Sequence, residues 1–134
     1  MMTKSVYYLV LLFSGIFTVV CCKKTADSSN SAQFTYENIS VEQAREIAAS
    51  GDDVIFLDVR TPEETAEGMI SGAREINYRA DNFKELVSKL NKKDSYVVYC
   101  RSGSRSQSAS EIMIELGFED VKNMEGGYLG WTEE

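Results

Sequence analysis

The chain has no histidine among its 134 residues. No imidazole is therefore at hand to activate a nucleophile. An excess of positive charge is missing too: the formal net charge is −7 and the pI about 4.7. An acidic protein has nothing to offset repulsion by phosphates, which argues against a nucleic-acid partner. No block of like charge is long enough to form a tail, and no internal repeat occurs. Proline appears once and cysteine three times. What remains is ordinary for one globular domain, with 43% hydrophobic and 26% charged residues.

Charge is also absent from one long stretch. After Lys4 no charged residue occurs until Lys23, and Val6–Val20 ("VYYLVLLFSGIFTVV") is mostly apolar. A positive start followed by such a segment reads as a secretory signal. The small-x-small cleavage site is missing, and "TVVCCKK" stands in its place. That junction resembles the lipobox of bacterial lipoproteins, in which the cysteine after the apolar segment is lipidated and becomes the mature N-terminus. Residues 1–22 are accordingly expected to be a lipoprotein-type signal. Cys22 is its lipidation site and Cys21 the small residue before it, with Cys21 as the alternative modified residue. An uncleaved membrane helix is the competing reading, for which the segment is near the lower length limit. Residues 23–33, "KKTADSSNSAQ", are polar and serine-rich and read as a flexible linker. The domain that follows, residues 34–134, is expected in the cell envelope, held to a membrane by the lipid and facing the periplasm.

Strands and helices alternate along that domain. "ISVEQAREIAASG" carries a capping box, Ser40 with Gln43, and places Val41, Ala44, Ile47 and Ala48 on one face before Gly51. "VIFLDV", Val54–Val59, is a continuous apolar run ending at Asp58, as expected of a strand buried on both faces. Thr61-Pro62-Glu63-Glu64 is a second capping box, opening a short helix that ends by Gly68. A short strand is expected around Glu75–Asn77. Phe83, Leu86, Val87 and Leu90 form an amphipathic stripe capped by Asp81 or Asn82. "SYVVYC" is a further buried strand. Arg105–Leu116 reads as a helix with Ala109, Ile112, Met113 and Leu116 inward, and "EDVKNM" as the last strand. "EGGYLGW" reads as a glycine-rich turn into a terminal segment. The alternation predicts an α/β fold, a mostly parallel sheet with helices on both faces. Reactive groups in such sheets gather at the carboxyl ends of the strands, which puts Asp58 and Cys100 on the same side of the sheet.

Cys100 is the one cysteine of the domain, so it has no internal disulfide partner and is either inert core or a reactive thiol. "VVYCRSGSR" favours reactivity. The thiol ends a buried strand, and a loop of small residues leads into a helix. Such a loop can turn successive N–H groups inward as an anion cradle, and Arg101 and Arg105 add two full charges. Each influence favours thiolate over thiol. Activation is then electrostatic and the missing histidine is not needed.

"CRSGSRS" resembles the active loop of rhodanese domains, the sulfurtransferases. "FLDVRTPEETAEGMISGAREIN" resembles their Asp-Val-Arg segment with its downstream Gly-Ala and Ile-Asn, and "GGYLGW" their closing glycines and tryptophan. The matches run in order from Ile39 to Trp131. The resemblance implies a rhodanese-like fold with a five-stranded parallel sheet and a ping-pong sulfur transfer through a persulfide on Cys100. Arg101, Ser102, Gly103, Ser104 and Arg105 would form the active loop, and Asp58 and Arg60 would hold the loop or line its mouth. It implies a small anionic sulfur donor such as thiosulfate, a cyanide or thiol acceptor, a thiol protein partner among the latter, and no cofactor or metal. Where the family often has Gly-His-Ile-Pro-Gly-Ala, this chain has Gly68-Met69-Ile70-Ser71-Gly72-Ala73. Two other readings compete. Phosphatase or arsenate chemistry needs Cys-x5-Arg, whereas Arg105 gives Cys-x4-Arg here. A non-catalytic sulfur carrier or protein-binding module would hold sulfur on Cys100 without turnover.

Overall fold

A computed structural model describes residues 35–133. The signal-like segment with Cys21 and Cys22, the linker and Phe34 lie outside the described residues. Five strands form one sheet: β1 (Glu37–Ile39), β2 (Val54–Asp58), β3 (Arg74–Glu75), β4 (Ser95–Tyr99) and β5 (Asp120–Met124). Their spatial order is β1-β5-β4-β2-β3, and every pairing is parallel. Between them run α1 (Val41–Ser50), α2 (Pro62–Ala66), α3 (Phe83–Ser88) and α4 (Ser104–Glu115), and α5 (Gly127–Thr132) closes the chain. No helix among the described residues is long and apolar enough to cross a membrane.

The central strands alternate between two cores, although their sequences do not alternate in polarity. Leu57, Tyr96, Val98 and Val121 pack with Phe83 and Val87 of α3 and Ala109 and Met113 of α4. Phe56, Val97, Tyr99 and Met124 turn the other way, onto Val41 and Ala44 of α1 with Tyr128 and Trp131 of α5 beside them. Helices therefore cover both faces, which is why the strands read as unbroken apolar runs. Burying each Val, Leu, Phe or Met side chain of these cores contributes ~1.5–3 kcal/mol.

Local signals set most boundaries. Ser40 Oγ accepts from Gln43 N–H at 3.2 Å, and Gln43 Oε1 accepts from Ser40 N–H at 2.8 Å. Thr61 and Glu64 form the second box. Three expectations shift. β3 lies at Arg74–Glu75 rather than around Glu75–Asn77. Asn82 stands at the start of α3 but makes no side-chain capping bond. Ala48 is exposed rather than inward, because α1 meets the sheet mainly through its first turn. The turn at Gly68–Ala73 closes without histidine or proline, through Ala73 N–H to Ile70 O at 3.0 Å and Ile70 N–H to the Tyr99 hydroxyl at 3.2 Å.

Candidate active site

β4 is the middle strand of the sheet, and Cys100 follows its last residue. The chain turns through Arg101, Ser102 and Gly103 and enters α4 at Ser104. Gly103 makes that turn possible with φ +103, a region closed to most side chains. Its N–H points back at the Cys100 sulfur, 3.2 Å away. A second wall comes from the chain end. Tyr128 N–H donates to Cys100 O at 2.7 Å and Leu129 N–H to Arg101 O at 3.0 Å. Gly127 permits this approach: a Cβ there would lie 2.6 Å from backbone atoms of Cys100 and Arg101. The "GG" of "EGGYLGW" is thus a fitted contact with the loop.

Cys100 is only 1% exposed. Burial pushes its thiol up. Hydrogen bonds from Ser106 N–H, the Ser106 hydroxyl and the N–H groups of Ser102 and Gly103 outweigh that and hold it below its ordinary value of 9.0. The cradle expected of the loop is therefore built from backbone groups plus one hydroxyl.

The arginines serve differently from the expectation. Arg105 is engaged by Glu64 in a two-pronged pair, Nη1 to Oε2 and Nη2 to Oε1, both at 2.7 Å. Its guanidinium is raised chiefly by that carboxylate, with a smaller contribution from the Cys100 sulfur. Much of its charge is answered before any anion arrives, and it ties α4 to α2. Arg101 is exposed and lines an open cleft of about 360 Å³ with Arg60, Glu64, Tyr128 and Leu129. Ser102, Gly103 and Ser104 line a second hollow of about 300 Å³, shared with Gln107 and Asn123.

Asp58 and Cys100 share the carboxyl end of the sheet but not its face. Asp58 pairs in register with Tyr99, one residue before the thiol, and Cys100 packs into the α3–α4 core. Asp58 is fully buried and receives Arg60 through Nη2 at 2.7 Å, Nε at 3.0 Å and the backbone N–H at 3.0 Å. Arg60 also donates to Gly68 O at 2.6 Å and Glu64 O at 3.2 Å, and its guanidinium lies 3.9 Å from the Tyr128 ring centre.

Three residues tied to the site are not among the expected site residues: Ser106, Asn123 and Glu64. Ser106 could have been found by counting back from Met113 and Ala109, since 106, 109, 110 and 113 form one inward stripe. Among the described residues no group of three or more His, Cys, Asp or Glu side chains could hold a metal ion.

Residues 40–134 match the Rhodanese-like domain family, and the chain belongs to it. The putative sulfurtransferase YtwF of Bacillus subtilis is 37% identical over 98 residues, covering 73% of this chain and 92% of that protein. The thiosulfate sulfurtransferase GlpE of Pseudomonas aeruginosa is 35% identical over 97 residues, covering 72% and 84%. A rhodanese-like domain protein from Staphylococcus aureus superposes with a TM-score of 0.64 at 32% identity, covering 73% of this chain and 93% of that one.

Glu64 gives the site an acid-sensitive clasp. Its carboxyl is held down at about 2, against an ordinary 4.5, chiefly by the Arg105 guanidinium. The folded-state value lies below the unfolded one. The resulting stability is thus complete above about pH 4.5 and is lost as pH falls toward about 2. The pair is partly exposed, so the effect is on the order of 1 kcal/mol. Urea midpoints at about pH 6 and about pH 3 should fall further in the natural protein than in Glu64→Gln. Equal falls would show that the clasp contributes nothing.

Proposed function

We propose that this domain is a rhodanese-type sulfurtransferase that takes sulfane sulfur from thiosulfate or a related anion and passes it to a thiophilic acceptor through a persulfide on Cys100. The observation that carries the reading is the Cys100 sulfur facing inward N–H groups and a hydroxyl at the carboxyl end of β4. In the first half-reaction the thiolate attacks the outer sulfur of thiosulfate. The S–S bond breaks, sulfite leaves with the electron pair, and the terminal persulfide sulfur carries the negative charge. In the second, cyanide or a thiolate attacks that terminal sulfur, and the electron pair returns to Cys100. The N–H groups of the loop stabilise an anion at both stages. Arg101, exposed beside the cleft, attracts the anionic donor. Arg105 shapes the loop through Glu64, and Asp58 and Arg60 support it from below.

A matrix of sulfur donors against acceptors, run on the natural chain and on Cys100→Ser, tests the assignment. Repeated turnover separates an enzyme from a carrier that loads once.

The same reading places the domain at the cell envelope, lipidated on Cys22 and reaching into the periplasm on residues 23–33. The uncharged segment ending in "CCKK" supports it. Several acyl chains suffice for stable anchoring, where one is marginal. The tether would leave the loop open to thiol partners, including a protein thiol. Mass spectrometry of the mature N-terminus should find an acylated Cys22 or Cys21. A retained Met1 would mean a membrane helix, and an unmodified N-terminus after the signal would mean a secreted domain.

A further inference from the structure

One buried hydroxyl near the thiol has more acceptors than it can serve. Ser106 is fully buried in the first turn of α4. Its Oγ lies 2.6 Å from Asn123 Oδ1, 2.9 Å from Gly103 O and 3.6 Å from Cys100 Sγ. A serine hydroxyl has a single proton to donate. Asn123 is itself buried at the end of β5, and its Nδ2 donates to Asn38 Oδ1 on β1 at 2.9 Å. In that arrangement the amide presents its oxygen to Ser106. A chain of polar groups therefore runs from β1 through β5 to the thiol, beside an apolar cluster of the core. Buried polar chains of this kind are costly unless every member is satisfied, and each bond in a low-dielectric interior is strong.

We propose that Ser106 is a positioning residue for sulfur transfer, its one hydroxyl proton shared between the Asn123 carboxamide and the Cys100 sulfur according to where the negative charge sits. This rests on Cys100 being the nucleophile. With a free thiolate, the hydroxyl turns toward Sγ. Once the persulfide forms, the charge lies one sulfur further out and the hydroxyl returns to Asn123. When an acceptor attacks the terminal sulfur, the S–S bond breaks and its electron pair lands on Sγ, where Ser106 again donates. No proton leaves the serine; only the direction of its hydrogen bond changes. Ser106 thereby favours Cys100 as attacking anion and as leaving group. Its N–H, which also donates to the sulfur, survives any substitution of the side chain.

Charged and titratable groups around the thiol come from several elements. Arg105 of α4 is paired to Glu64 of α2, and Arg101 stands in the loop. Glu125 follows β5 and lines the hollow beside Ser102. Tyr78 packs against the same core, and Tyr128 of α5 adjoins the loop. Substitution of Ser106 or Asn123 leaves all of them in place, so a change in thiol titration reports the hydroxyl.

The experiment follows thiolate ultraviolet absorbance against pH in the full chain, with Cys100→Ser subtracted to remove other thiols and tyrosines. Ser106→Ala should raise the midpoint by about one pH unit, the worth of a hydrogen bond to a charged group. Asn123→Ala removes the nearest competing acceptor, leaves the proton to be shared between the sulfur and Gly103 O, and should lower the midpoint. Opposite signs are the signature, since a merely structural network would move both the same way. Where Ser106→Ala alone does not fold, the double variant Ser106→Ala/Asn123→Ala is compared with Asn123→Ala, and the rise is expected there. An unmoved or lowered midpoint on losing the hydroxyl overturns the proposal, as does an unmoved or raised one in Asn123→Ala. The readout needs no sulfur transfer, so failure of the enzyme assignment would show in the transfer assay and leave these midpoints intact.

Discussion

Cys100→Ser should bring thiosulfate-to-cyanide transfer down to background, a loss of at least about 10³-fold, while the domain stays folded. The substitution keeps the side-chain volume and removes the thiolate. A serine hydroxyl ionises far above neutral pH, and with no histidine in the chain no imidazole can take its proton. The loop remains as formed, because its N–H groups meet an oxygen in place of sulfur, and Tyr128 and Leu129 still bind the Cys100 and Arg101 carbonyls. Burying a hydroxyl where a thiol sat costs about 1 kcal/mol when hydrogen-bond partners are present, and Gly103 N–H and Ser106 provide them. Transfer rate and thermal midpoint measured on the same preparation check this. A folded Cys100→Ser protein that still turns over at the natural rate would place the chemistry elsewhere.

The elements that carry the site were legible where local chemistry decides. Two capping boxes, the apolar strands and the helix-stopping Gly51 need only neighbouring residues, and each stands where the sequence puts it. The cysteine loop was legible because its composition is unusual for a core. β1 was not, since three residues with one buried side chain make no period, and only pairing with β5 makes Glu37–Ile39 a strand. α5 reads as a turn because glycines at 127 and 130 disfavour helix. It is a helix because those glycines let it approach the loop and Val41. Glu64 and Arg105 are 41 residues apart, and nothing local says that one answers the other. The sequence therefore shows two cations beside the thiol, where the fold has one exposed arginine and one clasp. Asn123 is hidden for the same reason: "EDVKNM" announces a strand, and only the sheet order brings its asparagine to Ser106.

Asp58 and Arg60 carry the second large effect, and it falls on stability. Asp58→Ala should lower unfolding free energy by ~3–5 kcal/mol, the usual result of removing one partner from a buried ion pair. The reason is geometric. Asp58 is fully buried and Arg60 3% exposed, so the charge left behind has no water to turn to. Arg60 is also a junction: it reaches Asp58 on β2, Glu64 O in α2 and Gly68 O beyond it, and covers Tyr128 of α5. A lysine offers a compact ammonium on a flexible stem and cannot make the fork, the two carbonyl bonds and the ring contact at once. Arg60→Lys should therefore recover little of what Arg60→Ala loses. A domain of this size has roughly 5–15 kcal/mol in all, so either loss moves the denaturation midpoint well clear of error. Transfer per folded molecule in the cold separates support from chemistry. It should stay within about tenfold of the natural rate, far above the Cys100→Ser background, because neither residue contacts the sulfur. A variant that keeps its midpoint but loses transfer would reverse the assignment and put the pair inside the reaction.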